Sequence, residues 1–384
     1  MRQIAYPAAL GSCCALGTGV SPLWAAEWSI SPNYSASVDY DANRRLILDG
    51  KGSGAAVLAI DLHFKRALED MEFTFDPRYA LRRFTDPSLG NGDDRSVNAG
   101  FNWTREKSLL NLTASYWDQS TLTTELLETG LLSANTHRRS AQAGGSWNWN
   151  QTERRTLIAQ LNYSDTSYYG GNAALLPGFR YTSGSLGERF SFTERGSFTV
   201  SAYGSILSSR TPGNSSHEAG LQGEVIYAFS ERTQTDVTIG ESSRVLQGQN
   251  SHGTDASASL THLLFLGKAS LSYTRSLVPY GIGFLVEQQQ FAASLTRPLT
   301  PFWDGTLGFL RVQSNEIAVL LQYDRPNYNS LYTGLNWHPS ETWWIGARIE
   351  GIRTEAPGID GRPINDWRSS LTVTWAPYPK SRSW

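Results

Sequence analysis

The sequence lacks an apolar run long enough for a transmembrane helix, which needs about 20 consecutive apolar residues. It also carries little charge: Asp, Glu, Lys and Arg make up 18% of the residues, and the formal net charge is −2. That balance gives no electrostatic reason to expect nucleic-acid binding. Methionine and cysteine occur only twice each, whereas there are 35 glycines and aromatic residues make up 12% of the chain. Such a composition favours strands and turns over helices.

Both cysteines lie in an N-terminal segment whose composition differs from that of the rest of the chain. Arg2 supplies a positive charge, apolar and small residues follow, and Ala25 and Ala26 offer a small-residue cleavage site. This pattern predicts a secretory signal peptide over residues 1–26, with a disordered apolar N-terminus as the alternative. Its removal would leave a chain without cysteine, and hence without disulfides or thiolate metal sites. Composition and the alternation of apolar and polar residues are uniform over residues 27–384, which predicts a single domain.

Alternation with a period of two is the dominant pattern, and it is clearest in residues 328–349. The positions of one parity are mostly apolar on both sides of a polar turn at residues 338–342. These positions are Leu331, Thr333, Leu335 and Trp337 before the turn, and Trp343, Ile345, Ala347 and Ile349 after it. The opposite parity holds small, amide and charged residues. A period of two around a short turn predicts a β-hairpin with one apolar face.

The same alternation recurs along residues 28–375 and predicts about eighteen strands, with sixteen as the alternative count. Short connections alternate with longer ones, as in membrane barrels with short periplasmic turns, longer outer loops and an even strand number. Residues 317–322 could form an extra strand or the stem of a loop. The predicted fold is all-β: a transmembrane antiparallel up-and-down β-barrel in the outer membrane of a Gram-negative bacterium. A soluble secreted β-protein is the rival class.

Aromatic residues collect beside the short connections. In a soluble core they would be scattered along the strands, whereas a membrane barrel gathers them where lipid meets water. The predicted periplasmic aromatic girdle, in contact with outer-membrane lipid, consists of Trp103, Trp147, Trp149, Phe229, Trp303, Trp337, Trp343 and Trp375.

The parity opposite the apolar row identifies candidate lumen-lining residues. These candidates are Asp61, His63, Glu72, Arg311, Arg348, Glu350 and Arg368. Charges of both signs inside a barrel can line a pore, bind a sugar or an anion, or cross-link opposite walls. The connection at residues 119–137 contains Leu126, Leu127, Leu131 and Leu132 and is a candidate for a segment that folds inward as a constriction or a helix, with Glu125 and Glu128 facing the pore.

No catalytic constellation stands out in the sequence. Ser216-His217 and Ser251-His252 are adjacent pairs in predicted outer loops, but adjacent residues of an extended chain point in opposite directions, and no third group is placed near them. No histidine spacing indicates a zinc site. The run of glycines at residues 50–54 is followed by a strand instead of the helix that a phosphate loop requires. The sequence therefore predicts neither an enzyme nor a cofactor.

Three segments carry a resemblance to a known family. They are residues 28–43 (WSISPNYSASVDYDAN), 324–344 (DRPNYNSLYTGLNWHPSETWW) and 367–375 (WRSSLTVTW). With them the chain resembles the outer-membrane β-barrel proteins associated with PEP-CTERM/exosortase exopolysaccharide loci. The resemblance implies a place in polysaccharide or protein export and contact with export-system partners. The last segment also resembles the C-terminal strand signal read by the barrel assembly machinery, although nine residues follow it.

These observations lead to three functional hypotheses. The first is a porin-like outer-membrane channel linked to export of exopolysaccharide or of another substrate. The second is an outer-membrane enzyme or adhesin that acts through its extracellular loops. The third is a structural barrel plugged by its own loops.

Overall fold

In the computed structural model the chain is described over residues 27–44, 46, 50–90, 92–122, 136–171, 173, 176–210, 215–246, 248–280, 284–315, 327–355 and 363–383. The strands are β1 (Glu27–Asp41), β2 (Ser53–Ala67), β3 (Met71–Phe84), β4 (Asp94–Arg105), β5 (Ser108–Ser120), β6 (Thr136–Asn150), β7 (Arg155–Gly170), β8 (Phe179–Thr193), β9 (Gly196–Ser209), β10 (Ser215–Ser230), β11 (Thr233–Leu246), β12 (Gln249–Leu264), β13 (Gly267–Tyr280), β14 (Phe284–Thr300), β15 (Trp303–Asn315), β16 (Asn327–Ser340), β17 (Trp343–Glu355), β18 (Pro363–Trp375) and β19 (Lys380–Ser383). A 3-10 helix spans Pro87–Leu89. Within these ranges no helix has the length and apolar character needed to cross a membrane.

The strands form one closed antiparallel barrel. Each of β1 to β17 pairs with the next strand in the chain, and β1 closes the ring on β18 with Tyr34 opposite Trp375. The short β19 continues the β18 side of this seam and pairs with the start of β1, with Ile30 opposite Lys380. The prediction of a transmembrane up-and-down barrel of about eighteen strands is confirmed. Both the predicted signal segment and residues 317–322 lie outside the described part of the chain.

The outer surface of the barrel is apolar and its inner surface is polar, the reverse of a soluble core. Leu221 on β10 is 65% exposed and Ile239 on β11 is 60% exposed, whereas Ser205 and Ser242 face inward and are buried. Successive side chains of a strand point to opposite faces, so the apolar parity of the sequence becomes the outer surface of the ring. In a barrel that spans lipid this surface replaces a hydrophobic core, because lipid solvates the apolar row.

The two ends of the barrel differ in their connections. We call the end that carries the short connections and both described termini the turn end, and the opposite end the loop end. The hairpins at the turn end have connections of two to four residues, such as 106–107 and 151–154. At the loop end two connections are shorter than the sequence indicates, because β11 and β12 extend to Leu246 and from Gln249, and β13 and β14 extend to Tyr280 and from Phe284. The predicted short–long alternation is therefore not strict.

An arginine on the outer surface of mid-strand β10 should destabilise the barrel. We expect Leu221→Arg to lower the free energy of unfolding in lipid vesicles by about 2–4 kcal/mol, because a cation at mid-membrane depth loses its hydration. Gln222→Arg, one residue along the same strand, points into the lumen and is the matched control. Urea titration of the vesicle-inserted protein measures both values. An equal loss for the two variants would contradict the assignment of the faces.

Candidate functional site

The lumen wall between β2 and β3 carries a ladder of ion pairs that includes three predicted lumen residues. The pairs are Asp61–Arg78, His63–Asp76 and Lys65–Glu72. The nitrogen–oxygen distance is 3.2 Å in the first pair and 2.6 Å in the third. All six side chains are partly exposed, so each pair contributes little to stability. The ladder gives this part of the lumen a mixed charge near the turn end.

A second group of predicted lumen residues meets on β17 and β18. The Arg368 Nε atom lies 2.9 Å from the Asp41 carboxylate and 3.0 Å from the Asp366 carboxylate. The Nη2 atom of Arg348 lies 3.3 Å from the Glu350 carboxylate. All of these residues except Asp366 border an open cavity of about 230 Å³. Its other charged lining residues are Asp39, Arg44 and Arg82.

Arg311 does not line the lumen, and its prediction is wrong. It shares the parity of Leu307 and Phe309 on β15 and is exposed on the outer surface, whereas its neighbour Val312 is buried on the lumen side. Arg311 lies towards the loop end of β15, beyond the apolar part of the row. A charge can occupy the outward parity there because the strand has left the apolar band.

The most deeply buried ion-pair network of the lumen surrounds Arg244 on β11, whose exposed fraction is 1%. Its Nε atom donates to Glu218 at 3.1 Å and to the Ser242 hydroxyl at 2.9 Å. Its Nη2 atom donates to Asp255 at 2.7 Å, and its Nη1 atom lies 3.6 Å from Glu287. One guanidinium thus joins carboxylates from three other strands: β10, β12 and β14.

Glu287 reaches this network because the loop-end part of the β13–β14 hairpin leaves the wall. The pairing of β12 with β13 stops at Ala256 and Arg275. Both strands continue beyond that point with their other partners, β11 and β14. Glu287 also accepts a hydrogen bond from Arg275 at 3.1 Å, so two cations serve the three carboxylates of the network. The described residues of the hairpin tip, 276–280 and 284–288, therefore lie inside the ring.

Apolar contacts seat the hairpin tip against the opposite part of the wall. Leu277 and Leu285 of the tip are buried in one cluster with Phe179 of β8 and Leu207 of β9. Phe179 and Leu207 point into the lumen, since the outward parity of β9 is held by residues such as Ile206. The tip and the Arg244 network together narrow the lumen at the loop end.

The constriction predicted in residues 119–137 falls on a segment whose main part, residues 123–135, lies outside the described residues. Leu122, directly before it, is buried and borders the cavity beside Arg368. The observed constriction comes from the β13–β14 tip. The sequence of β13 and β14 is strand-forming throughout and gave no sign that this hairpin would leave the wall.

A larger cavity, of about 740 Å³, lies at the turn end. Trp344 and Tyr378 line it together with Asn33, Asn98 and the first two ion pairs of the β2–β3 ladder. The Tyr378 hydroxyl donates to the Glu341 carboxylate at 3.2 Å. This hydrogen bond raises the pKa of the Tyr378 phenol, because deprotonation would break it and would place a phenolate beside the carboxylate. The tail at residues 376–379, held by the pairing of β19 with β1, forms one wall of this cavity.

All eight residues of the predicted girdle lie beside short connections on the outward parity. Several stack in pairs across neighbouring strands or along one strand. Ring centroids lie 6.1 Å apart for Trp147 and Trp149, 5.8 Å for Trp303 and Trp337, and 6.1 Å for Trp343 and Trp375. Trp103 lies under the Arg105 guanidinium at 5.2 Å, and Phe229 packs edge-on against Tyr227. That this ring marks a membrane boundary stays a prediction.

The two Ser-His pairs lie on strands β10 and β12 and not in loops, which corrects their predicted location. Ser216 is buried on the lumen side, whereas His217 is exposed on the outer surface. His252 is likewise exposed, and Ser251 has the opposite parity. The hydroxyl and imidazole of each pair therefore point in opposite directions. In the described ranges no group of three His, Cys, Asp or Glu side chains is placed to hold a metal ion.

Sequence reasoning missed the Arg244 network. Alternation alone would place Glu218, Arg244 and Asp255 on the inward parity, so part of the signal was present. Their mutual distances depend on the registers of two strand pairs, β10–β11 and β11–β12. Glu287 has the parity of the outward-facing Phe291, and only the inward position of the hairpin tip brings it to Arg244.

Removing the Arg244 guanidinium should destabilise the barrel strongly. We expect Arg244→Met to lower the free energy of unfolding by about 3–5 kcal/mol, since it leaves buried carboxylates without their cation. Arg348→Met removes a half-exposed lumen arginine with one acidic partner and should cost about 1 kcal/mol or less. Denaturant unfolding of both variants in vesicles supplies the comparison. Similar losses would show that Arg244 does not hold a buried network.

The chain matches no family model and no curated protein sequence. It is similar in fold to crystal structures of outer-membrane proteins with little sequence identity. OccAB3 of Acinetobacter baumannii aligns with 92% of this chain and 99% of its own, at 8% identity and a TM-score of 0.51. OccK2 (OpdF) of Pseudomonas aeruginosa, solved with glucuronate, aligns with 91% of this chain and 98% of its own, at 10% identity and a TM-score of 0.51. OpdO of Pseudomonas aeruginosa aligns with 93% of this chain and 97% of its own, at 12% identity and a TM-score of 0.50. These likenesses concern the architecture of the barrel.

Proposed function

We propose that the protein is a channel of the Gram-negative outer membrane that passes small polar or charged solutes. The observation that carries the proposal is the closed barrel with an apolar outer surface and an ion-paired lumen. A barrel of about 16–18 strands is wide enough for an aqueous path. The turn end, with both described termini and the stacked tryptophans, is then the periplasmic end, and the loop end is extracellular.

The charges and the width of the lumen indicate which solutes this channel would pass. The β2–β3 ladder and the Arg368 cavity present both signs of charge to the solute, which suits small polar or zwitterionic molecules better than strongly charged ions. The β13–β14 tip narrows the path at the extracellular end. This arrangement favours a small conductance over a wide, unselective pore.

Single-channel recording in planar bilayers tests the proposal. We expect discrete, small conductance steps from the refolded protein. The double variant Leu285→Ser/Glu287→Gln should give larger steps, because it removes an apolar and an ionic contact that hold the hairpin tip inside the ring. Leu295→Ser/Thr296→Ser, on the same strand outside the tip, is the control and should conduct like the wild type. Silence of the wild type and the tip variant alike would favour the plugged barrel.

Export of a polysaccharide chain is a second candidate, favoured by the turn-end cavity. Trp344 and Tyr378 offer aromatic faces, and Asn33 and Asn98 offer amides, which is a combination that suits sugar rings and hydroxyls. It accords with the resemblance to barrels of exopolysaccharide loci, and it would place the sugar at the periplasmic entrance.

Block of the channel current by oligosaccharides tests the proposal of polysaccharide export. We expect oligosaccharides added on the periplasmic side to block the wild type, and Trp344→Ala to weaken the block about tenfold, since loss of one stacking surface costs roughly 1–1.5 kcal/mol. Trp343→Ala, the neighbour that points outward, should leave the block unchanged. Equal block of all three proteins would remove the turn-end cavity from consideration as a sugar site.

A further inference from the structure

A row of charged residues crosses six adjacent strands on the outer surface at the loop end. Arg95 of β4 lies opposite Asp118 of β5, which in turn lies opposite Arg139 of β6. Asp165 of β7 lies opposite Arg180 of β8. Arg210, directly after β9, reaches the same Asp165 at 2.8 Å. We call these six residues, Arg95, Asp118, Arg139, Asp165, Arg180 and Arg210, the arginine belt.

The arginine belt lies next to the lipid-facing part of the barrel. Its residues have the same outward parity as Tyr116 on β5, Tyr163 on β7 and Ile206 on β9, which are all exposed. Tyrosines prefer the boundary between hydrocarbon and polar headgroups. The belt lies beyond these side chains towards the loop end, which is the level at which the headgroups of the outer leaflet would begin.

The arginines are held in place without being covered. The Nε atoms of Arg139 and Arg180 donate to Asp118 and Asp165 at 3.2 and 3.3 Å, which fixes the position of both guanidinium groups. The side chains of Arg139, Arg180 and Arg210 remain 49%, 63% and 52% exposed. Exposed pairs of this kind add little to stability. Their arrangement is therefore not explained by folding alone.

Asp118 organises one half of the belt. It is buried, and it accepts hydrogen bonds from Arg139 and from the Tyr169 hydroxyl at 2.7 Å. The Arg139 guanidinium lies 4.0 Å from the centre of the Tyr169 ring. An open cavity of about 350 Å³ beside these residues also has Arg95 and His137 in its lining. This pre-arranged cavity has room for a phosphate group.

The belt has an excess of positive charge, since four arginines face two carboxylates and Asp165 serves two of them. Guanidinium groups match the geometry of phosphate through paired N–H donors, and such charge-assisted bonds are the strong ones. A cationic surface at headgroup level attracts anionic lipid headgroups. We propose that the arginine belt binds the phosphate groups of a glycolipid in the outer leaflet. The proposal rests on the outer-membrane location given under the proposed function.

Binding of purified full-length protein to lipid A in detergent tests the assignment. The wild type should bind diphosphorylated lipid A more tightly than lipid A stripped of its phosphates. The triple variant Arg139→Gln/Arg180→Gln/Arg210→Gln should lose at least about tenfold in affinity for the diphosphorylated form, because it removes three guanidinium groups that can make charge-assisted hydrogen bonds to phosphate. It should bind the stripped form as the wild type does.

The matched control is Arg66→Gln/Arg105→Gln/Arg155→Gln. These arginines have the outward parity at the turn end, and Arg105 and Arg155 also have acidic partners, so the control removes the same charge from the other end of the barrel. It should bind both lipids as the wild type does. Equal loss in both triple variants, or no loss in the belt variant, overturns the proposal. If the belt variant does not fold, Arg180→Gln alone should still lower the affinity for diphosphorylated lipid A severalfold.

Inorganic phosphate supplies the remaining arm of the experiment. If inorganic phosphate displaces lipid A from the wild type at concentrations no higher than those of lipid A itself, the belt prefers free phosphate and the glycolipid assignment fails. A protein that conducts and fractionates with the outer membrane but does not discriminate between the two lipids contradicts the belt alone. A protein absent from the outer membrane contradicts the proposed function itself.

Discussion

Backbone hydrogen bonding is the constraint on which the rest of this structure depends. In lipid no water can satisfy an unpaired N–H or C=O group, so every strand in the membrane needs two neighbours. The seam between β1 and β18 meets this requirement by closing the ring. Once the ring is closed, the pleat of each strand sends one parity outward and the other inward. The apolar rows then meet lipid, and the lumen can hold charge.

The charged side chains inside the ring are arranged in two different ways. Near the turn end the lumen charges form separate, half-exposed pairs that remain in contact with solvent. At the loop end Arg244 and Arg275 join three carboxylates in a buried network. A buried pair depends on its partners because its charges have lost their hydration. The half-exposed pairs are therefore accessible to a solute in the lumen, whereas the buried network holds the β13–β14 tip inside the lumen.

The outer surface has three levels that follow from the same geometry. Stacked tryptophans lie beside the short connections, aliphatic side chains cover the middle, and tyrosines precede the arginine belt towards the loop end. Arg311 belongs to this outer surface as well. Its position shows that outward parity and apolar character coincide only within the middle level. Beyond that level the outward row can carry charge, which is where a lipid headgroup could be recognised.

The sequence by itself determined the class of fold, the approximate number of strands and the face to which most side chains belong. It could do so because the period of two is a local property: Leu331 and Leu335 share a face whatever the neighbouring strand. It also placed Arg348, Glu350 and Arg368 on the lumen side. The contacts among strands were decided only by the tertiary structure. Register brings Arg244 to Glu218 and Asp255, and the departure of β13 from β12 reverses the expected side of Glu287. Both depend on interactions between residues far apart in the chain, and no local period encodes them.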